Sequence, residues 1–397
     1  MAGKTGGVKR DWLLCLALFL VVRLIASFLG YTAAVGPVPE PLSNEPINAT
    51  AETLLHQNDF SHRFINIWKR WDTDWYLKIA AFGYDLNDGT VAYMPLYPWL
   101  TSRLASLTGD FLLSALLISN LAALAVFLLF YEVARIEGLT KEQAVAAVVS
   151  LAAFPSAFFL LAAYTDSVYL AFTLGAWLSA RRHRWFLAGT LGAFATLTRL
   201  QGSLLTPILG LLWLREIAGV RWLEPATWRK ASALFRTFSW MASLFPALAF
   251  LGWNICLNAA RLGNITGTLN THWGIRTVPP WTGIGLFLQR LFNTPRVFVD
   301  YIDLGSLTVI VMFLIFGLRR LDPILSIYSW LNLALFFMRG TPPHLLDSFS
   351  RYMLVIFPAF LVLGGIPNRA ARLILWGGFF CLQLFLLMGF LDWRWVA

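Results

Sequence analysis

The chain has 397 residues, 58% hydrophobic and 13% charged, with a net charge of +10 and a mean hydropathy of +0.65. Soluble domains carry about 25% charged residues, so this composition excludes a water-soluble globular protein and indicates a polytopic membrane protein. The positive balance does not call for nucleic acid, because basic residues in a membrane protein mark its cytoplasmic loops.

The first apolar run, near 11–31, follows Lys4, Lys9 and Arg10 and carries Arg23. It is long and lacks a small-residue cleavage site, so it reads as a retained helix and not a signal peptide. Further spans are expected near 111–131, 143–163, 166–180, 184–198, 203–215, 237–259, 303–318, 322–338, 348–366 and 370–391. Helices are required, since barrel strands would be shorter and alternate in polarity. The whole chain, 1–397, reads as one all-α integral-membrane domain of about eleven transmembrane helices. Cys15, Cys256 and Cys381 lie inside apolar segments without metal-ligand spacing and read as packing residues.

The basic segments fix an expected orientation. The N-terminus, Arg135 to Lys141, residues 181–184, Arg215 to Arg236, Arg319–Arg320 and residues 368–372 all fall on one side when the spans alternate. That side is cytoplasmic by the positive-inside rule. The first long loop, 32–110, a second at 260–302 and the short turns at 164–166, 199–202 and 339–347 then face the other way.

The loop at 32–110 is far longer than an ordinary connection, and such loops usually carry function. Trp68, Trp71, Trp75, Ile79 and Phe82 recur at helical spacing within it, as one apolar face of an interfacial helix. Residues 93–108 read as a partly inserted helix. Asp72 lies at the edge of the tryptophan stripe, and Asp74 points further away. Asp72 has two readings: a general base at the membrane surface, or the N-cap of a helix starting at Thr73. Asp74 pairs with Lys78 on the simple reading.

Other polar residues converge on the same face. Asp166 stands at a span end, and Arg199 and Gln201 sit in the turn that follows the next helix. His272 and Arg276 come from the second outer loop. Arg351 lies about one turn inside a span, where an arginine costs a few kcal/mol and needs a partner; Asp347 is the structural partner, a lipid phosphate the functional one. A guanidinium fork is well matched to phosphate. An enzyme acting on a lipid-linked phosphate accounts for this clustering at one face. The competing reading, a transporter or flippase of lipid-linked or small polar substrates, calls for polar residues near the midplane.

Four motifs in order, RWDTDWYLKIAAFGYD with YMPLYP, FPSAFFLLAAYTDSVYL and TLTRLQG, resemble the PIG-V family of membrane mannosyltransferases. These belong to the GT-C superfamily of integral-membrane glycosyltransferases, and the resemblance covers about residues 10–365. YMPLYP departs mildly from an FFP-like pattern. The family's motif positions fall on Trp71, Asp72, Asp74 and Trp75, then on Tyr164 and Asp166, and then on Arg199. The resemblance implies a GT-C fold, a polyprenyl-phosphate-mannose donor, and inverting transfer to a lipid or glycan acceptor on the non-cytoplasmic face. It makes Asp72 the base, with Asp74 in support, and Trp71, Trp75, Tyr164, Asp166, Arg199, Gln201, His272, Arg276 and Arg351 the substrate-binding candidates. No cofactor is assigned, and such donors need no nucleotide pocket. A divalent metal on Asp72, Asp74 and Asp166 is the weaker alternative within the superfamily.

Overall fold

A computed structural model describes residues 4–33, 63–217, 238–293, 295–340, 346 and 348–396. The described residues are helical, with no strand beyond an isolated bridge between Thr277 and Arg339. Helix α1 is Lys4–Ala33, α2 Asp72–Phe82, α3 Leu96–Thr108, α4 Phe111–Ile136 and α5 Lys141–Ala153. Next come α6 Asp166–Arg181, α7 Trp185–Thr198, α8 Leu205–Glu216, α9 Phe245–Ala259, α10 Ile265–Trp273 and α11 Pro280–Asn293. The last five are α12 Phe298–Gly317, α13 Pro323–Phe336, α14 Phe349–Tyr352, α15 Phe357–Gly364 and α16 Arg369–Leu391.

Five segments among the described residues are long and apolar enough to cross a membrane: Asp11–Thr32, Phe111–Ile136, Phe238–Ala259, Phe298–Gly317 and Arg369–Leu391. The other expected spans are shorter helices, two of them interrupted beside a proline. The run expected at 143–163 stops at Ala153, because Pro155 cannot supply the next backbone N–H, and resumes as a 3-10 turn at Ala157–Leu160. The run expected at 348–366 divides into α14, a 3-10 turn at Met353–Val355, and α15, which has Pro358 in its first turn. Helix starts follow ordinary capping. Asp110 accepts from the Leu113 N–H at 3.0 Å, and Thr140 and Gln143 form a capping box on α5.

The interior is aromatic and aliphatic. Phe154 meets Phe360 and Phe379 edge-on, and Trp177 and Tyr328 pack against Phe357. One end of the bundle is tied by charge. Arg181 bonds Glu137 at 3.0 Å and Glu216 at 2.5 Å, and Arg215 bonds Asp322 at 2.6 Å, linking α4, α6, α8 and the start of α13. These residues come from loops expected to share a side. The opposite end carries the breaks in the helices, and there the polar groups of the second face meet.

Candidate active site

Helix α2 does not begin as periodicity implies. Trp68 closes a 3-10 turn, Trp71 takes a left-handed φ of 53°, and Trp71 occupies the N-cap position ahead of Asp72. The five apolar positions therefore do not form one membrane-facing stripe. Trp68 is buried against Phe390, whereas Phe82 is 87% exposed. The aspartates are corrected as well. Asp72 makes no side-chain cap bond and is 26% exposed on a cavity wall, while Asp74 is buried. Asp74 lies 3.3 Å from Lys69, and Lys78 instead pairs with Asp88 at 2.8 Å.

Four charged side chains from distant segments form one chain of ion pairs. Arg351 Nη1 donates to Asp72 Oδ2 at 2.6 Å, and Arg351 Nε donates to Asp166 Oδ2 at 3.0 Å. Arg199 Nη1 donates to the other oxygen of Asp166. Asp166 is fully buried at the first position of α6, and Arg199 and Arg351 are each less than 10% exposed. Such burial is tolerable only because the charges are paired and bonded. Asp347, expected as the partner of Arg351, lies outside the described residues.

Aromatic faces flank both arginines. The Arg351 guanidinium lies 4.5 Å from the Tyr164 ring and 5.4 Å from Phe159, and Arg199 lies 5.6 Å from Tyr352. These distances suit cation–π attraction, which strengthens on desolvation. Tyr164 is itself held by donating to the Arg70 carbonyl at 3.1 Å. Tyr93 donates to Asp72 Oδ1 at 3.4 Å. Burial, with the Asp72 charge added, pushes the Tyr93 phenol well above its ordinary range, so it remains a donor. The Tyr76 hydroxyl, hydrogen-bonded with Thr165 at 3.2 Å, is pushed up to about 12, first by burial and then by Asp72.

The ion pairs border a cavity of about 880 Å³, in the size range of ligand sites. Asp72, Arg199, Gln201 and Arg351 line it, together with Tyr93, Trp273, Arg339, Tyr352 and Trp395. Tyr164 and Asp166 stand behind this surface, next to Arg351. Trp75 is one ring removed, stacked on Tyr93 at 6.0 Å and against Trp273 at 5.3 Å. Trp71 lies outside, packed between Trp393 and Trp395. Asp74, His272 and Arg276 are also off the cavity. His272 is exposed near the end of α10, and the Arg276 carbonyl accepts from the Gly340 N–H at 2.7 Å. The carboxylates suggested as metal ligands are not gathered, since arginine bridges two and the third faces Lys69. No cluster of three His, Cys, Asp or Glu occurs among the described residues.

Sequence reasoning did not assign roles to Tyr93, Arg339, Tyr352 or Trp395. Tyr93 was visible in YMPLYP, and Tyr352 directly follows Arg351. Arg339 donates to the Tyr352 hydroxyl at 2.8 Å, a contact without a spacing signal.

Residues 14–217, just over half of the chain, match the family model described as Mannosyltransferase (PIG-V). The chain belongs to the PIG-V mannosyltransferase family. Its matched region contains Asp72, Asp166 and Arg199, whereas Arg351 lies beyond it. Among solved structures, this PIG-V family chain is similar to ArnT from Cupriavidus metallidurans bound to undecaprenyl phosphate. The TM-score is 0.50 at 17% identity, over 90% of this chain and 62% of ArnT. It is also similar to the Archaeoglobus fulgidus oligosaccharyltransferase tethered with an acceptor peptide, with TM-score 0.44, 11% identity and coverage of 95% and 55%. A third structure is AglB from the same organism with an inhibitory peptide and a dolichol-phosphate, at TM-score 0.43, 12% identity and coverage of 95% and 56%. The chain thus spans about three fifths of the ArnT length. These are GT-C glycosyltransferases, and the ArnT likeness shows that the fold of this PIG-V member is GT-C. No curated protein matches the chain by sequence.

Proposed function

We propose that the chain is an inverting glycosyltransferase that moves mannose from a polyprenyl-phosphate donor to a hydroxyl of a lipid-linked or cell-envelope glycan acceptor. The site faces the non-cytoplasmic side in this reading. One observation carries it: Asp72 and Arg351 share an ion pair on the wall of a ligand-sized cavity. Membership of the PIG-V family and the GT-C fold supply the reaction class.

The pair accounts for both halves of the reaction. A donor phosphodiester is an anion with several acceptor oxygens, and Arg351 and Arg199 present N–H donors on the same wall. As the phosphate engages Arg351, the Asp72 carboxylate is released from that ion pair and is free to accept from a nearby hydroxyl. Asp166, buried behind both arginines, keeps them in place throughout. Asp72 then takes the acceptor proton as the acceptor oxygen attacks the anomeric carbon from the face opposite the phosphate. The bond from that carbon to the phosphate oxygen breaks, and its electron pair stays on the departing lipid monophosphate. The arginines stabilise the added negative charge. The transporter reading lacks comparable support, because this charge cluster sits at one end of the bundle.

The deciding variant is Asp72→Asn, which keeps the shape and removes the base. It should still insert and fold, while transfer from a labelled polyprenyl-phosphate mannose falls about a hundred- to ten-thousand-fold. Full transfer by the folded variant would remove Asp72 as the base.

A further inference from the structure

At the other end of the bundle, α1, α5 and α16 enclose a second cavity of about 640 Å³. Lys141, Arg369, Arg372 and Trp376 line it, beside an apolar wall that includes Leu14 and Leu373. Helix α16 has 23 residues, about 35 Å at 1.5 Å each. It starts at this cavity and ends at Leu391, whose carbonyl accepts from Arg70 two residues before Asp72. The two cavities therefore lie about a membrane thickness apart and share no residue.

The charges here do not cancel. Lys141 pairs with Asp11 at 3.2 Å, and Asp11 also accepts from Tyr131 at 2.7 Å. Glu142 lines the cavity too, but it is exposed. Arg369 and Arg372 have no carboxylate partner among the described residues. The Arg372 Nε is buried without a hydrogen-bond acceptor there, and its guanidinium lies 5.9 Å from the Trp376 ring. Two guanidinium groups on one cavity wall without a carboxylate partner among the described residues suit an anion supplied from outside. The first turns of α5 and α16 add the positive ends of two helix dipoles. Leu14 and Leu373 are 49% and 64% exposed, so the cavity opens sideways onto the surface that meets hydrocarbon.

A ligand matching this lining has an anionic head with several acceptor oxygens and an apolar body running along the helices. We infer that the cleft binds the phosphodiester headgroup of an anionic membrane lipid from the leaflet opposite the active site. Arg369 and Arg372 hold the phosphate, and Leu14 and Leu373 meet the start of its chains. Basic pockets between transmembrane helices are suited to such headgroups. The lipid would splint the three helices that run from this cleft toward the segments building the first cavity.

The test is thermal unfolding of the full chain in a neutral detergent, with phosphatidylglycerol, phosphatidylcholine or inorganic phosphate added. Phosphatidylglycerol should raise the midpoint by about 4 °C or more, and the other two should not. The double variant Arg369→Gln, Arg372→Gln should lose that shift. Equal shifts with phosphatidylcholine, or an undiminished shift in the double variant, would overturn the site. An equal shift with inorganic phosphate would overturn the lipid and leave a soluble anion. If the double variant does not fold, chain-brominated lipids supply a second readout. Brominated phosphatidylglycerol should quench wild-type fluorescence more than the brominated phosphatidylcholine does, and Trp376→Phe should abolish that excess. No excess, or one unaffected by Trp376→Phe, rejects the proposal.

Discussion

Asp72 and Asp74 are separated by one residue in the first turn of α2, and the helix turns them toward different surroundings. Asp72 reaches the large cavity and Arg351, whereas Asp74 packs beside Lys69 at 6% exposure. Burial is the largest influence on Asp74 and pushes its carboxyl above the ordinary range, with Lys69 and Arg70 offsetting part of the rise. A carboxyl raised in the folded state contributes stability below its unfolded value, and that contribution is lost as pH rises through the folded value. Asparagine has no such proton to lose. Asp74→Asn should therefore retain transfer, with a stability change within about 1 kcal/mol that grows more favourable from pH 4 to pH 7. Unfolding curves and transfer assays across that range check this; a folded but inactive Asp74→Asn would return Asp74 to the chemistry. The sequence placed both acids in the right motif. It could not rank them by burial, because that depends on the start of α2 and on Lys69, both fixed by the reversal at Trp71.

Among the elements, the short turn after α7 does the most to aim a charge. Arg199 is extended (φ −150°, ψ 142°), and a 3-10 turn at Leu200–Leu204 folds back against α7. Gly202 makes this possible: a Cβ there would lie 2.2 Å from the Thr196 backbone nitrogen. Gly202→Ala must push the turn off the helix and shift Arg199. Loss of about 1–3 kcal/mol is expected, with weaker donor binding; an unchanged melt and donor KM would show that the turn absorbs the methyl. Helix existence was legible from apolar runs, and so were the polar turns at 164–166 and 199–202. The lengths were less so, because a proline break such as the one at Pro155 leaves hydropathy untouched. The tryptophan spacing gave the correct aromatic segment but the wrong face, since periodicity cannot register a positive φ at Trp71, just ahead of the helix.

Across the whole molecule, Arg351 joins α14 to α2 and α6, segments 279 and 185 residues away in sequence. Arg351→Met leaves Asp72 on the cavity wall and Asp166 with only Arg199. Removing one partner of a buried ion pair costs about 3 kcal/mol at the lower end of the measured range. Calorimetry or denaturant unfolding should show that loss, and donor affinity should fall more than acceptor affinity. A stable variant with intact donor binding would move the phosphate site elsewhere. That Asp166, Arg199 and Arg351 could meet was suggested by the expected alternation of spans, and the structure brings the three together. Their actual pairing was not legible, because contacts across such separations leave no local spacing.

The clamp between Arg70–Trp71 and the end of α16 bears on the order in which the chain is made. Arg70 donates both Nε and Nη2 to the Leu391 carbonyl, and Trp71 rests between the rings of Trp393 and Trp395. A nascent chain synthesised only as far as residue 390 lacks that carbonyl and both rings. Asp72 emerges from the ribosome well before the neighbours that fix the start of its helix, since Leu391 follows Arg70 by 321 residues. The site is thus completed only once the end of α16 and the residues just after it are made, and a chain translated short of them holds the carboxylate without the setting that orients it.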